Sequence, residues 1–207
     1  SQYRETDFNF VSRLMEQEGI YYYFQHENGK HSLVLADSPS AHTEHPKFGT
    51  MKFHQIGLNE VTDHDYVNQW STVTSIQSGK FLHKDYDFFK ARAVEGAAAD
   101  PRTHTYGDLE IYDYPAEGVD TSGDKEIKDR TADYASIRMA ELQSPYFVVN
   151  GGGNTRGLEA GRLFSLAEHP DKAQNAKYLA LSTTLSCTVN DASSGAGSAA
   201  DFRLAFT

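Results

Sequence analysis

Gln2-Tyr3-Arg4-Glu5-Thr6-Asp7-Phe8, then Phe10-Val11-Ser12-Arg13-Leu14-Met15-Glu16-Gln17-Glu18-Gly19, then Ile20-Tyr21-Tyr22-Tyr23-Phe24 write a helix start, a helix stop and a strand in three phrases. Thr6 or Asp7 offers a side-chain oxygen to the free N–H groups of a first helical turn. Phe10, Val11, Leu14 and Met15 fall at one-turn spacing and make an apolar stripe. Gly19 stands where a helix leaves through a left-handed residue, a conformation glycine adopts without a Cβ clash. The aromatic run after it has strong strand propensity. Asn28-Gly29 supplies the residues a tight hairpin prefers, and His31-Ser32-Leu33-Val34-Leu35 returns as the partner strand. The residues predict an α-β-β unit over 1–58.

Length and composition bound the rest. A chain of 207 residues holds one large domain or two small ones and buries a substantial core. Hydrophobic content of 39%, with 12% aromatics, argues for folding over disorder. A formal charge of −10 and a pI near 5.3 disfavour a nucleic-acid binder, which carries a basic patch. No apolar run approaches the roughly 20 residues of a membrane-spanning helix. The single cysteine, Cys187, excludes an internal disulfide and fits folding in a reducing compartment. No signal peptide is visible. The chain opens on Ser1 and runs almost directly into a capped helix, so a fragment of a longer protein is expected.

Further along, Asp37-Ser38-Pro39-Ser40-Ala41-His42 is a turn-rich exit from the hairpin. Short strands are expected around Met51-Lys52-Phe53, in 72–78, through Asp85-Tyr86-Asp87-Phe88, and through Leu109-Glu110-Ile111-Tyr112-Asp113-Tyr114, where Pro115 ends the ladder. Ala97-Ala98-Ala99-Asp100-Pro101 reads as a loop. A second helix is expected over about 124–142, with Ile127, Tyr134 and Ile137 on its apolar side. Gly151-Gly152-Gly153 reads as a flexible break, Leu163-Phe164-Ser165-Leu166 as a strand, and 168–174 as a turn holding Pro170. Leu179, Leu181, Thr183, Leu185, Cys187 and Val189 then alternate strictly, the pattern of a half-buried strand. A Ser/Gly/Ala loop over 192–200 leads to Phe202, Leu204 and Phe206 as the returning strand. Two helices and about ten strands joined mostly by short loops predict an α+β fold. It is read as a mainly antiparallel β-barrel or sandwich over 59–207, holding the one later helix, with the α-β-β unit attached.

The opening stretch, QYRETDFNFVSRLMEQEGIYYYF, resembles a signature of the VgrG family, the trimeric spike of bacterial type VI secretion, whose base is shared with the baseplate hub of contractile-tailed phages. Four later pieces keep the order of that family. Asp85-Tyr86-Asp87-Phe88 resembles its "DYDF" strand and Ile111-Tyr112-Asp113-Tyr114-Pro115 its "YDYPG" element. Arg156-Gly157-Leu158-Glu159-Ala160-Gly161-Arg162-Leu163-Phe164 resembles its "L-x-x-G-x-x-F" strand start, and 175–179 with Tyr178 its "NxxYLV". Ala91 stands where the family has proline, and Ala116 where it has glycine, which puts local turn geometry in question. The resemblance implies the later part of a hub-like, tube-protein-like base, with a first barrel upstream and an oligosaccharide-binding-like domain and β-helical needle downstream. It implies a homotrimer that caps a hexameric ring of the tube protein Hcp, is driven into target cells, and carries effectors or tip proteins through its C-terminal part. It further implies a bacterial cytoplasmic origin followed by release to the extracellular space or target cell.

Chemistry competes weakly with that reading. His42 and His45 are close in sequence and His64 lies between Asp63 and Asp65, yet no HExxH occurs and one cysteine makes no CxxC. The segment 151–157 fits neither GxxxxGK[ST] nor GxGxxG, and a helix precedes it instead of following it. No GxSxG elbow appears. Asp85 with Asp87 and Asp108 with Glu110 are i, i+2 pairs about 7 Å apart on a strand face, within the range glycosidases use. A carbohydrate-active β-domain using such a pair is therefore the alternative, beside a phage baseplate hub protein proper. Tyr21-Tyr22-Tyr23-Phe24 is read as a packed strand and Trp70 as a core or interface anchor. No catalytic group, cofactor-binding residue or metal ligand is nominated, and the expectation is a non-enzymatic assembly part without a cofactor, nucleic-acid partner or membrane-spanning segment.

Overall fold

The computed structural model describes residues 1–55, 64–87, 91–100, 102, 104–116, 127–188 and 201–207, with only the backbone of 127–129, 201 and 202. Asp63, Phe88, Pro101, Val189, the expected helix start at 124, the boundary at 58 and the 192–200 loop lie outside those residues. Helix α1, Asp7–Gln17, is capped by Thr6, whose hydroxyl accepts from the Asn9 N–H at 3.2 Å. Gly19 follows at φ +70°, and the Ile20 N–H closes on the Met15 carbonyl at 2.8 Å. The helix stop falls where the sequence placed it. Strands β1, Tyr21–Glu27, and β2, Lys30–Ala36, pair around Asn28-Gly29 with Gly29 at φ +73°.

In chain order there follow β3 (Thr50–Lys52), β4 (Val67–Thr74), β5 (Lys80–Asp87), β6 (Arg92–Ala99), β7 (Glu110–Asp113) and α2 (Ile127–Gln143). Then come β8 (Phe147–Gly153), β9 (Leu163–Ala167), β10 (Lys177–Leu179), β11 (Thr183–Thr188) and β12 (Asp201–Phe206). They pack as two compact units of discontinuous sequence, Ser1–Tyr21 with Thr74–Phe147, and Tyr22–Val73 with Val148–Thr207. The first division falls after Tyr21, the opening residue of β1. Helix and the rest of the hairpin thus fall in different units, where the sequence reading joined them in one α-β-β body ending at 58.

In the first unit β5 is central, antiparallel to β6 and parallel to β7. Helix α2 covers this sheet through Ala135 and Met139, which meet Phe81, Ala98 and Ile111. The face turned to the core is therefore Thr131, Ala135 and Met139 at helical spacing, all buried, and not the expected Tyr134 and Ile137. Close approach explains the choice: a β-carbon on Gly96 of β6 would run into the backbone of Thr131. The same approach corrects the loop expected at 97–99. Those alanines end β6, where small residues admit the helix against the sheet. Ala91, just before β6, has φ +46°, a conformation the proline of the family pattern cannot take.

In the second unit β9 lies between β10 and β3, parallel to β3, and a second sheet runs β11-β12-β8-β4. Met51, Val67, Leu158, Phe164, Leu166, Leu204 and Phe206 form the core, with Trp70 and Tyr178 at its margin. Two expectations change here. Gly151-Gly152-Gly153 is not a flexible break: it is the end of β8, paired with 204–206 of β12. A side chain at Gly151 would collide with the Phe206 ring and one at Gly153 with the Tyr66 carbonyl, so the glycines serve close packing. The alternating run 179–189 is split between β10 and β11, and β11 is an exposed outer strand with Leu185 on the surface. The strand expected at 72–78 is shifted to β4, anchored by the fully buried Val67, and leaves Ile76 outside it.

Among the described residues the architecture is mostly β with two α-helices. No sheet among the described residues closes on itself, and parallel pairs make two of the four sheets mixed where antiparallel neighbours were expected. Parallel partners require long crossovers, and β3 meets β9 only after more than half the chain has intervened.

Candidate interaction surface

Strand alternation puts Tyr22, Phe24 and His26 on one face of β1, and His31, Leu33 and Leu35 on one face of β2. The Nδ1 atoms of His26 and His31 lie 2.7 Å apart, so both sets share one side of the hairpin. That side is exposed, with Phe24 at 48%, Leu33 at 56% and Leu35 at 58%. Tyr22 meets Phe24 edge-on at 6.2 Å, and Phe24 stacks on His26 at 6.3 Å. The opposite side is built inward: the Tyr23 hydroxyl donates to the Ala41 carbonyl at 2.9 Å, its ring lies 4.7 Å from that of His42, and Ala36 is buried. The aromatic run thus alternates as a packed strand does, with Tyr23 turned inward and Tyr22 and Phe24 outward. In the first unit, α1 buries none of its residues and exposes Phe8, Val11 and Leu14. Contiguous exposed apolar and aromatic surface of this kind marks interaction sites on folded proteins.

The polar candidates are placed apart. His42 is buried with Nδ1 2.8 Å from the Gly161 carbonyl, while His45 accepts the Lys47 N–H at 3.2 Å and packs on Phe48. His64 neighbours His54, with ring centroids 6.0 Å apart. Asp65 takes the Arg156 backbone N–H at 3.4 Å. Among the described residues no three His, Cys, Asp or Glu converge. Asp85 and Asp87 are buried in β5, with Asp85 accepting the Tyr86 N–H at 2.7 Å, so the pair is not open to a polysaccharide. Asp108 is fully exposed and pairs with Lys80 at 3.3 Å, and Glu110 is exposed beside it. Trp70 donates its indole N–H to Gln174 at 3.1 Å and packs on Tyr178 and Phe206, the anchoring role expected of it.

Sequence reasoning missed a cavity of about 210 Å³ in the first unit, lined by His83, Asp113, Tyr134 and Arg138. Gln17, Tyr114 and Pro115 complete its lining, so its walls come from α1, β5, β7 with the residues after it, and α2, which no single stretch of sequence brings together. His83 Nε2 lies 3.7 Å from Asp113, the Tyr134 hydroxyl donates to Glu18 at 2.9 Å, and Arg138 donates to Glu141 at 2.7 Å. No serine, cysteine or lysine is among the lining residues. The Tyr134 to Glu18 bond ties α2 to the end of α1. The cavity offers no nucleophile with an adjacent base.

The described residues form a mostly β fold with two α-helices and carry exposed apolar side chains on the hairpin and on α1. The profile of the phage tail baseplate hub (GPD) family matches residues 1–191, and the chain belongs to that family. It is 40% identical over 179 residues to the type VI secretion system spike protein VgrG1b of Pseudomonas aeruginosa, covering 86% of this chain and 23% of that protein. It is 37% identical to VgrG1c of the same organism, covering 86% and 24%. The chain thus spans about a quarter of the length of these relatives. Among solved structures it is similar to the E. coli c3393 protein, described as a component of the type VI secretion system with structural similarity to the T4 bacteriophage tail proteins gp27 and gp5. The TM-score is 0.53 at 16% identity, over 99% of this chain and 37% of that one. No helix among the described residues is long and apolar enough to cross a membrane.

Proposed function

We propose that the chain is a base segment of a type VI secretion spike and acts mechanically, without catalysis. The observation that carries this is its 40% identity to a spike protein along 86% of its own length. The segment belongs to a homotrimeric hub of two tube-like barrels per subunit that caps an Hcp ring, so that contraction drives tube and spike into a target cell with effectors attached further along the spike. The spike originates in the bacterial cytoplasm and leaves by that route. The exposed side of the hairpin and the open face of α1 support the reading, since such surfaces are what neighbouring chains cover in an assembly. The family description also favours a second reading, a phage baseplate hub protein, in which the same surfaces are used in a tail.

Secretion separates these. In a bacterium where the parent gene is the sole spike gene, deleting the region that encodes residues 1–207 should stop release of Hcp into the medium, and complementation should restore it. Undiminished release of Hcp would overturn the spike reading.

A further inference from the structure

We propose that His26 and His31 form a two-imidazole chelate for a divalent transition metal, with copper(II) favoured. The inference is independent of the assembly reading and rests on the hairpin itself. The two side chains face each other across the turn at Asn28-Gly29, with Nδ1 atoms 2.7 Å apart and ring centroids at 4.8 Å. Both are exposed, so an ion reaches them without unfolding anything. The Phe24 ring stacked at 17° on His26 limits the freedom of one ligand before the ion arrives.

Copper(II) is favoured because imidazole suits it and because a nitrogen site binds it more tightly than the other divalent first-row ions. The observed 2.7 Å is the length of the hydrogen bond between the two rings. Two nitrogens bound cis at about 2.0 Å on a tetragonal ion stand about 2.8 Å apart, so chelation asks the rings to turn while the nitrogens keep about that separation. The Nδ1 to Nδ1 contact needs one ring with its proton on Nδ1 and one with a lone pair there. On metal binding that proton moves to the solvent-facing Nε2, and a rotation of the rings aims both lone pairs at the ion. Water completes the coordination. The motifs searched for in the sequence describe three- and four-ligand sites, so a pair joined only by a hairpin escapes them, and with two protein ligands the site fills only when metal is supplied.

Copper(II) titration of the 207-residue chain, followed by calorimetry and electron paramagnetic resonance, tests the proposal. One equivalent should bind with a tetragonal spectrum showing two imidazole nitrogens, at least tenfold more tightly than zinc. His26→Ala and His31→Gln should each weaken copper at least tenfold and remove one nitrogen from the spectrum, with melting curves showing that both variants remain folded. His169→Ala, elsewhere in the second unit, should change nothing. An unchanged affinity and two-nitrogen spectrum in the folded His26→Ala variant would overturn the site, as would zinc binding as tightly as copper.

Discussion

Gly19 and Ile137 meet where helix α1 ends: a β-carbon on the glycine would lie 3.1 Å from Cγ1 of the isoleucine. Gly19 also has φ +70°, so two separate constraints act against a side chain there. The first is local, since a left-handed β-branched residue is strained. The second is tertiary, since Ile137 occupies the space. Gly19→Val should destabilise the protein by more than the roughly 1 kcal/mol typical of a glycine-to-alanine conformational effect. Thermal melts of the two proteins measure it, and an unchanged midpoint would refute the account of the helix stop.

The approach of α2 to β6 depends on Gly96. Any β-carbon there meets the Thr131 backbone, which cannot rotate away as a side chain would. Gly96→Val should cost at least the ~1–3 kcal/mol of an overpacked core and loosen the first unit selectively. Hydrogen exchange would show loss of protection in α2, β5 and β6 while β8 and β9 keep theirs. Uniform loss across both units would contradict a local clash.

Asp100 predicts an acid transition. The side-chain hydrogen bond from Arg102, reinforced by the Arg102 backbone N–H and charge and by His104, holds its carboxyl below the ordinary value of 3.8. A folded-state value below the unfolded one means the contribution is present above about pH 3.8 and is lost as pH falls through the lower folded-state value. Asp100→Asn should therefore melt below the parent protein at neutral pH, with the gap closing under acid. A gap that stays constant from neutral pH to pH 3 would show that the ionised carboxylate is not what matters.

The isolated chain should be monomeric or only weakly trimeric at micromolar concentration. Three copies at −10 each bring about −30 together, which opposes association at low salt. In the proposed spike a downstream needle supplies the permanent trimer. Light scattering on the chain alone and with its downstream sequence decides this, and a tight trimer of the short chain would place the principal interface within it. Phe24→Glu and Leu33→Glu, both on exposed positions, should leave the melting temperature within the small range of surface substitutions while lowering whatever association remains.

What the sequence determined by itself is what neighbours along the chain control. Thr6 capping α1, Gly19 ending it and Asn28-Gly29 turning the hairpin are local choices of backbone angle and hydrogen bond, and they stand where the residues placed them. Family membership was legible for a related reason, because the resemblance rested on short stretches of consecutive residues, such as 2–24, that need no tertiary structure to be read. The tertiary structure alone decided which faces are covered. The alanines at 97–99 are strand and not loop because a helix lies on them, and Gly151-Gly152-Gly153 is strand and not hinge because Phe206 and Tyr66 leave no room for side chains. Leu185 alternates as a half-buried strand should, yet no partner within the described chain covers it. His26 and His31 look like two scattered histidines until the hairpin closes them to 2.7 Å. Periodicity states that a residue can be buried, whereas burial itself depends on what the rest of the chain, or another chain, brings against it.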